Sequence, residues 1–382
     1  MQNNQKIPKG WSVKKLGEIS CLIAGNAFNS EDFIDMGIPL IRISNIADDG
    51  IVLDENTAFL PESFLKENSK FVIRQTDLLI AMSGATTGKM GINTFSEPML
   101  LNQRVCIIRA KDVSQNFLNQ YLFTHKKDIL RQSYGGAQPN IGNNDIKKIK
   151  VLLPPLPEQE KIALVLGTWD EAIEKLSNLI EQKKLLKKGL MQKLLTGQTR
   201  LPSFTQPWKD IELSDLLNYE QPSKYLVDEI LSYDKNKIPI LTANKAFILG
   251  STDDSFGIYT QGDCIIFDDF TTDIKYVNFP FKVKSSAIKI LTPKTNTNLK
   301  FVYEQMKCIK YPLAGHKRYY LSEYQYITIS IPDISEQQAI ADVLSTADDE
   351  INLLNQKLEA LKEQKKGLMQ QLLTGQIRVK VN

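Results

Sequence analysis

No stretch of this 382-residue chain approaches the ~18 consecutive apolar residues that a membrane helix needs. Its first residues, Met1-Gln2-Asn3-Asn4-Gln5-Lys6, lack the apolar core of a secretory signal, so a cytoplasmic protein with no membrane attachment is the expectation. Cysteine is scarce: Cys21, Cys106, Cys264 and Cys308 stand far apart without a C-x-x-C pair, which predicts reduced thiols and no disulfide framework. Two histidines leave little from which to build a zinc site. Excess charge is missing too. With 47 basic and 44 acidic residues the net charge is +3, which argues against holding nucleic acid by bulk charge. Any such contact must come from local clusters.

Catalytic signatures are equally sparse. No G-x-G-x-x-G follows a strand pattern, and the Asn/Asp-Pro-Pro-aromatic motif of amino-methyltransferases is missing; Leu153-Pro154-Pro155-Leu156 has only the prolines. The run Gly84-Ala85-Thr86-Thr87-Gly88-Lys89-Met90 superficially resembles a phosphate-binding loop. Its glycines are one residue too close, and Met90 stands where Ser or Thr would bind magnesium. Asp253-Asp254 and Asp268-Asp269 lack the companion lysine of a nuclease site and read as turns. The chain reads as non-catalytic, with no metal or cofactor of its own.

What the chain does contain is a copy of itself. Sliding it by 178 positions aligns residues 158–200 with 336–378 without a gap, and 24 of the 43 pairs are identical. The match is densest from Lys187 to Arg200 against Lys365 to Arg378. Upstream, Trp11-x4-Leu16 corresponds to Trp208-x4-Leu213, Ile38-Pro39 to Ile238-Pro239, and Asp77-Leu78-Leu79-Ile80 to Asp263-Cys264-Ile265-Ile266. Between these anchors the halves share almost nothing.

The repeated segments predict long helices. Ile351, Leu354, Leu358, Leu361, Leu368 and Leu372 fall on a heptad seam with Lys365 in its polar slot; Ile173, Leu176, Ile180, Leu190 and Leu194 follow the same register, interrupted by Lys183 and Lys187. Gly197 and Gly375 stand where a C-terminal cap is expected. Gly189 and Gly367 lie inside the pattern, which predicts close helix–helix approach. Two such helices can pair antiparallel and place intervening domains apart. Counted from Thr168 to Leu195, the first would run about 42 Å, more than one turn of DNA at ~34 Å.

Residues 20–150 and 218–330 read as strand-rich α+β modules. Their loops carry side chains suited to base edges: Arg for guanine, Asn and Gln for adenine, Ser and Thr for either. In the first module these are Arg42, Ser44, Asn45, Ser83, Thr86, Thr87, Lys89, Gln103, Arg104, Gln138 and Asn140. In the second they are Thr242, Asn244, Lys245, Thr271, Thr272, Lys275, Tyr276, His316, Lys317, Arg318 and Tyr319. The run Gly315 to Tyr320 interleaves cations with tyrosines, a composition suited to phosphate contact plus stacking. His125, on a helical pattern, reads as an ordinary structural histidine.

This arrangement resembles the specificity subunit of type I restriction-modification systems. The resemblance is carried by Trp11-x4-Leu16, the Pro154-Pro155-Leu156-Pro157-Glu158-Gln159 box, the helix end Leu190 to Gly197, and their counterparts Trp208-x4-Leu213, Glu336-Gln337 and Leu368 to Gly375. It implies an α+β chain of two strand-rich α/β target recognition domains separated by a pair of long antiparallel coiled-coil helices, with an internal pseudo-two-fold repeat. The domains would be 1–153 and 201–331, and the helical regions 154–200 and 332–382. By resemblance each domain reads one half of a bipartite double-stranded DNA target. The helices, through the seam residues and Glu158, Gln159, Glu336 and Gln337, dock two methyltransferase subunits, and restriction–translocation subunits join them. S-adenosylmethionine, ATP and magnesium would sit on those partners. Because the two domains differ, the target should be asymmetric. Near-neutral charge predicts weak DNA binding by the isolated chain. The rival readings are a coiled-coil scaffold displaying protein-binding loops without a DNA target, and a self-contained enzyme.

Overall fold

The computed structural model describes residues 7–47, 50–84, 86–131, 140–227, 229–243, 246–313, 315 and 317–381. It divides into two units, Met1–Leu176 with Lys357–Asn382, and Ser177–Gln356. Each takes part of both long helices.

The first unit contains β1 (Ser12–Lys15), α1 (Leu16–Ile19), β2 (Ser20–Ala24), β3 (Ile38–Ile41), β4 (Ala58–Leu60), α2 (Phe64–Glu67), β5 (Val72–Ile73), β6 (Leu78–Ala81), β7 (Met90–Ile92), β8 (Met99–Leu101) and β9 (Val105–Ala110). It continues through α3 (Gln115–Thr124), α4 (Lys126–Arg131), α5 (Asn143–Lys148) and β10 (Lys150–Leu153) into α6 (Leu156–Leu194). An antiparallel sheet runs β2-β9-β6-β7, and a mixed one β4-β3-β8-β5. β6 and β9, the central strands of the first sheet, are apolar on both faces: Leu78, Ile80, Cys106 and Ile108 pack toward α3 and α6, while Leu79, Ala81, Val105 and Ile107 pack with Ile41, Met99 and Leu101 of the second sheet and the loops beside it.

The second unit repeats this plan with β11 (Lys209–Glu212), α7 (Leu213–Leu216), β12 (Leu217–Glu220), β13 (Ile238–Leu241), β14 (Ile248–Thr252), β15 (Cys264–Asp268), β16 (Ile274–Val277), β17 (Lys282–Val283) and β18 (Ile288–Pro293). α8 (Leu299–Cys308), β19 (Thr328–Ile331) and α9 (Ile334–Leu373) complete it. Its sheets run β12-β18-β15-β16 and β14-β13-β17, and β11 pairs with β19 as β1 pairs with β10. The duplication seen in the helices therefore extends to nearly every strand, although beyond the Ile-Pro that opens β3 and β13 the strand sequences share little but apolar character.

The first helix begins at Leu156, twelve residues before the Thr168 start taken from the heptads. Pro157 is tolerated because first-turn amides need no helical partner, and the Pro155 carbonyl accepts from the Glu158 and Gln159 amides. In the second copy Asp333 takes over this task, its Oδ1 accepting from the Ser335 and Glu336 amides at 3.0 and 3.1 Å. Both helices end where expected, at Leu194 and Leu373, and the chain leaves them through Gly197 (φ 68°) and Gly375 (φ 70°), in the left-handed conformation that glycine adopts without strain.

Within each unit the helices pair antiparallel through the same residues, exchanged between copies. Ile162, Ala163 and Leu166 share the first core with Leu368, Met369, Leu372 and Leu373. Ile340, Ala341 and Leu344 share the second with Leu190, Met191, Leu194 and Leu195. The lysines that interrupt the seam are paired across it: Lys365 with Asp170 in the first unit, and Lys187 with Asp348 (2.5 Å) and Lys183 with Glu350 (2.6 Å) in the second.

The expected close helix approach at Gly189 and Gly367 is not found. A Cβ added at either meets no neighbouring atom within 4 Å, and the helices run through both positions unbroken. Gly189→Ala and Gly367→Ala should therefore each stabilise their unit by up to about 1 kcal/mol, seen as a higher urea midpoint. A lowered midpoint would show that the glycines are needed.

Candidate nucleic-acid interface

In the first unit four loops converge at the ends of the two sheets. The Met82 amide, opening the β6–β7 turn, donates to the Arg104 carbonyl in the β8–β9 turn at 2.7 Å. Ile141 N donates to Met82 O at 2.8 Å, and Ser83 forms an antiparallel bridge with Asn140. The loop after β3 closes the cluster, with Asn102 N donating to Ile41 O and Ile43 lying against Gly84. Inside the β6–β7 turn, Thr87 donates from its amide and hydroxyl to Gly84 O. Gly88 has positive φ and no room for a Cβ, which would lie 1.9 Å from Leu130 Cδ2.

The second unit builds the same convergence from different residues. Asp269 N donates to Ala287 O at 3.0 Å, as Met82 does to Arg104, and Tyr319 N donates to Asp269 O at 2.9 Å. Here the junction is charged. Asp269 meets Lys289 at 3.0 Å, with both side chains at most 2% exposed, and its Oδ1 also accepts from Tyr320 N at 2.8 Å. Lys289 donates onward to Gln221 Oε1 at 3.1 Å. The lysine companion that the sequence did not reveal for Asp268-Asp269 is thus present. It forms a closed internal ion pair, and Asp268 caps the turn by accepting from the Phe270 and Thr271 amides.

These clusters gather Ser83, Thr86, Thr87, Lys89, Gln103, Arg104 and Asn140 in one unit, and Thr271, Thr272, Lys317 and Arg318 in the other. Gln103, Arg104, Asn140, Lys317 and Arg318 are exposed. Ser44 is exposed, whereas Asn45 is buried, bonded to Val52 O and Thr57 Oγ1, and the Arg42 guanidinium donates to Asn56 O. Among the described residues, buried Arg42 Nε and Thr86 Oγ1 have no hydrogen-bond partner. Thr242 follows β13, its amide bonded to Phe247 O, and Lys275 lies on β16. The Tyr276 hydroxyl donates to Asp263 at 2.5 Å, and its ring lies under Lys300 from α8. Tyr319 is fully buried, with its hydroxyl bonded to Gly315 O, so its ring packs inside the module. Lys317 and Tyr311 both bond Glu323, and the lysine first, then the tyrosine, hold that carboxyl below its ordinary range. Gln138, Asn244, Lys245 and His316 lie outside the described residues. His125 stacks on Tyr121 at 4.2 Å, an ordinary packing role.

The Glu-Gln boxes lie inside their units. Glu158 accepts from Trp11 Nε1 at 3.0 Å and from Arg378 Nε and an Arg378 terminal nitrogen at 2.6 and 2.7 Å, with the guanidinium over the indole. Glu336, Arg200 and Trp208 repeat this clasp. Gln159 accepts from Ser114 N, the cap of α3, and donates to Pro154 O; Gln337 does the same with Asn298 N, the cap of α8, and Pro332 O. Each box fastens its module to the helix pair. Trp11 and Trp208 were legible as motifs, but their partner in each case is remote in sequence. The seam residues Leu176, Ile180, Leu194, Ile351, Leu358 and Leu372 are buried, and Ile173, Leu190, Leu354, Leu361 and Leu368 are half-buried.

Two copies of one convergent loop cluster, each on its own module, are matched by sequence comparison. The family model for the type I restriction modification DNA specificity domain matches residues 8–183 and again 205–363. The chain belongs to this family. A Methanocaldococcus jannaschii chain named as the type I restriction enzyme MjaX specificity subunit is 25% identical over 415 residues, spanning 98% of this chain and 95% of that one. The EcoR124I/EcoR124II specificity subunit of Escherichia coli is 44% identical over 128 residues, 32% of each chain. The crystal structure of the S subunit from M. genitalium shares the fold, with a TM-score of 0.64 at 18% identity over 97% of both chains. As a specificity subunit the chain recognises DNA and is not itself an enzyme. Among the described residues no His, Cys, Asp and Glu cluster could hold a metal ion, and no helix is long and apolar enough to cross a membrane.

Proposed function

We propose that each loop cluster reads one half of an asymmetric bipartite DNA target, while the paired helices set the gap between the halves. The observation that carries this reading is the repeated convergence with unlike side chains: Met82, Arg104 and Ile141 in one unit stand where Asp269, Ala287 and Tyr319 stand in the other. A shared frame with different loops suits two half-sites of different sequence. Two methyltransferase subunits and the restriction–translocation subunits would dock on the helical regions, where Leu164, Leu185, Leu186 and Leu353 remain exposed. S-adenosylmethionine, ATP and magnesium would reside on those subunits, in the cytoplasm.

The spacing claim has a direct test. The unit boundary falls inside both helices, at Leu176/Ser177 and Gln356/Lys357. Inserting one heptad at both points keeps the seam in register and should add about 10 Å of helix, or about three base pairs of gap. Methylome sequencing of cells expressing this variant with its partner subunits should show both half-sites unchanged and the gap widened. An unchanged gap refutes the reading.

A further inference from the structure

Arg104 has a backbone that its residue type disfavours. Its φ is +67°, and it is the third residue of a turn closed by Val105 N donating to Asn102 O at 3.3 Å. Glycine or asparagine normally fills such a place, and strain of this kind concentrates at functional sites. The turn is held from several sides. Arg104 O accepts from Met82 N, Gln103 N donates to Asn26 O at 2.7 Å, and Gly25 lies so close that a Cβ there would sit 1.9 Å from Asn102 O.

From this fixed base an exposed guanidinium projects with no hydrogen bond or ion pair to any described residue. Arg42, on the loop after β3, is engaged instead, its guanidinium donating to Asn56 O. At the matching place in the second unit, where Asp269 N finds its carbonyl, the residue is Ala287.

We propose that Arg104 is the specificity-determining residue for a guanine in the half-site read by the first module, with no counterpart contact from the second. This rests on the reading that the loop clusters face base edges. A planar five-donor fork on an immobile turn suits the O6 and N7 acceptors of guanine in the major groove, whereas a phosphate contact needs only a point charge.

The test is methylome sequencing of cells expressing the full chain with its partner subunits, using Arg104→Gly and Arg104→Lys. Glycine suits the left-handed turn, so the first variant keeps the loop in place. Both variants should lose the preference for guanine at one position of the first half-site by about tenfold to a hundredfold. The second half-site, seen in the same reads, should stay unchanged. An unaltered first half-site in Arg104→Gly, a wild-type pattern in Arg104→Lys, or a uniform weakening of both halves would overturn the assignment. A third variant, with residues 83–88 replaced by glycine and serine, separates the two claims. If it changes the first half-site while Arg104→Gly does not, the loops read bases and Arg104 does not. If neither changes it, the base-reading role of this cluster falls as well.

Discussion

Replacing Lys289 with methionine is expected to destabilise the second unit by about 3–5 kcal/mol, because it leaves the Asp269 carboxylate buried without its counter-charge. Asp269 is 1% exposed, so water cannot take the place of the ammonium. The loss should also reach function. Asp269 ties together the β15–β16 turn, the β17–β18 turn and the segment leading to Tyr320, so the half-site read by this module should blur before the protein unfolds. The first unit shows how the same junction closes without charge. Strand pairing places Cys106 where the second unit has Lys289, and Met82 where it has Asp269. The double variant Asp269→Met/Lys289→Cys should therefore recover much of the stability, less the unmet Tyr320 amide at about 1–3 kcal/mol. Urea denaturation followed by hydrogen exchange across β15 and β18 measures all three proteins. A single variant as stable as the parent would mean that the pair contributes nothing.

Arg378→Ala should cost about 3 kcal/mol in the first unit, the low end of the range for a broken buried ion pair. Two features set that figure. The Glu158 side chain is 4% exposed and would keep only the Trp11 N–H as a donor, whereas Arg378 itself is 41% exposed and water can fill part of its place. Glu158→Ala removes the buried charge and strands a guanidinium that is already half in water, so it should cost less. Hydrogen exchange across β1 and β10 would report both losses. If Glu158 served only to dock a partner subunit, neither substitution would move the stability of the isolated chain.

How much of this was legible beforehand depended on how each contact is encoded. The helices were, because identity at fixed offset and heptad spacing are local properties, and the capping glycines at 197 and 375 follow from the same pattern. The matching plan of the modules was legible only at scattered anchors such as Trp11 with Trp208 and Ile38-Pro39 with Ile238-Pro239. A buried strand asks only for apolar bulk, so Leu78-Leu79-Ile80-Ala81 and Ile265-Ile266-Phe267-Asp268 occupy equivalent places, one residue out of the register that aligning Asp77 with Asp263 suggested. The Glu-Gln boxes were visible as motifs, yet their roles were hidden because Trp11 lies 147 residues from Glu158, and Arg378 lies 220. Tyr319 looked like a stacking platform in a basic loop, and the fold uses it as core. Nothing in the letters Asn102-Gln103-Arg104 announces a left-handed arginine; that follows from the carbonyl that Met82 needs.

The clasps have a consequence for the order in which the protein matures. The second unit is one continuous stretch, Ser177–Gln356, whereas the first is completed only by Lys357–Asn382. On the ribosome the first module must therefore wait for residues 357–378 before Arg378 can reach Glu158 and Leu372 and Leu373 can cover Ile162 and Leu166. Maturation then runs against the usual N-to-C order. A chain cut between Gln356 and Lys357 would carry a whole second recognition module beside a first one whose core lacks Leu372 and Leu373.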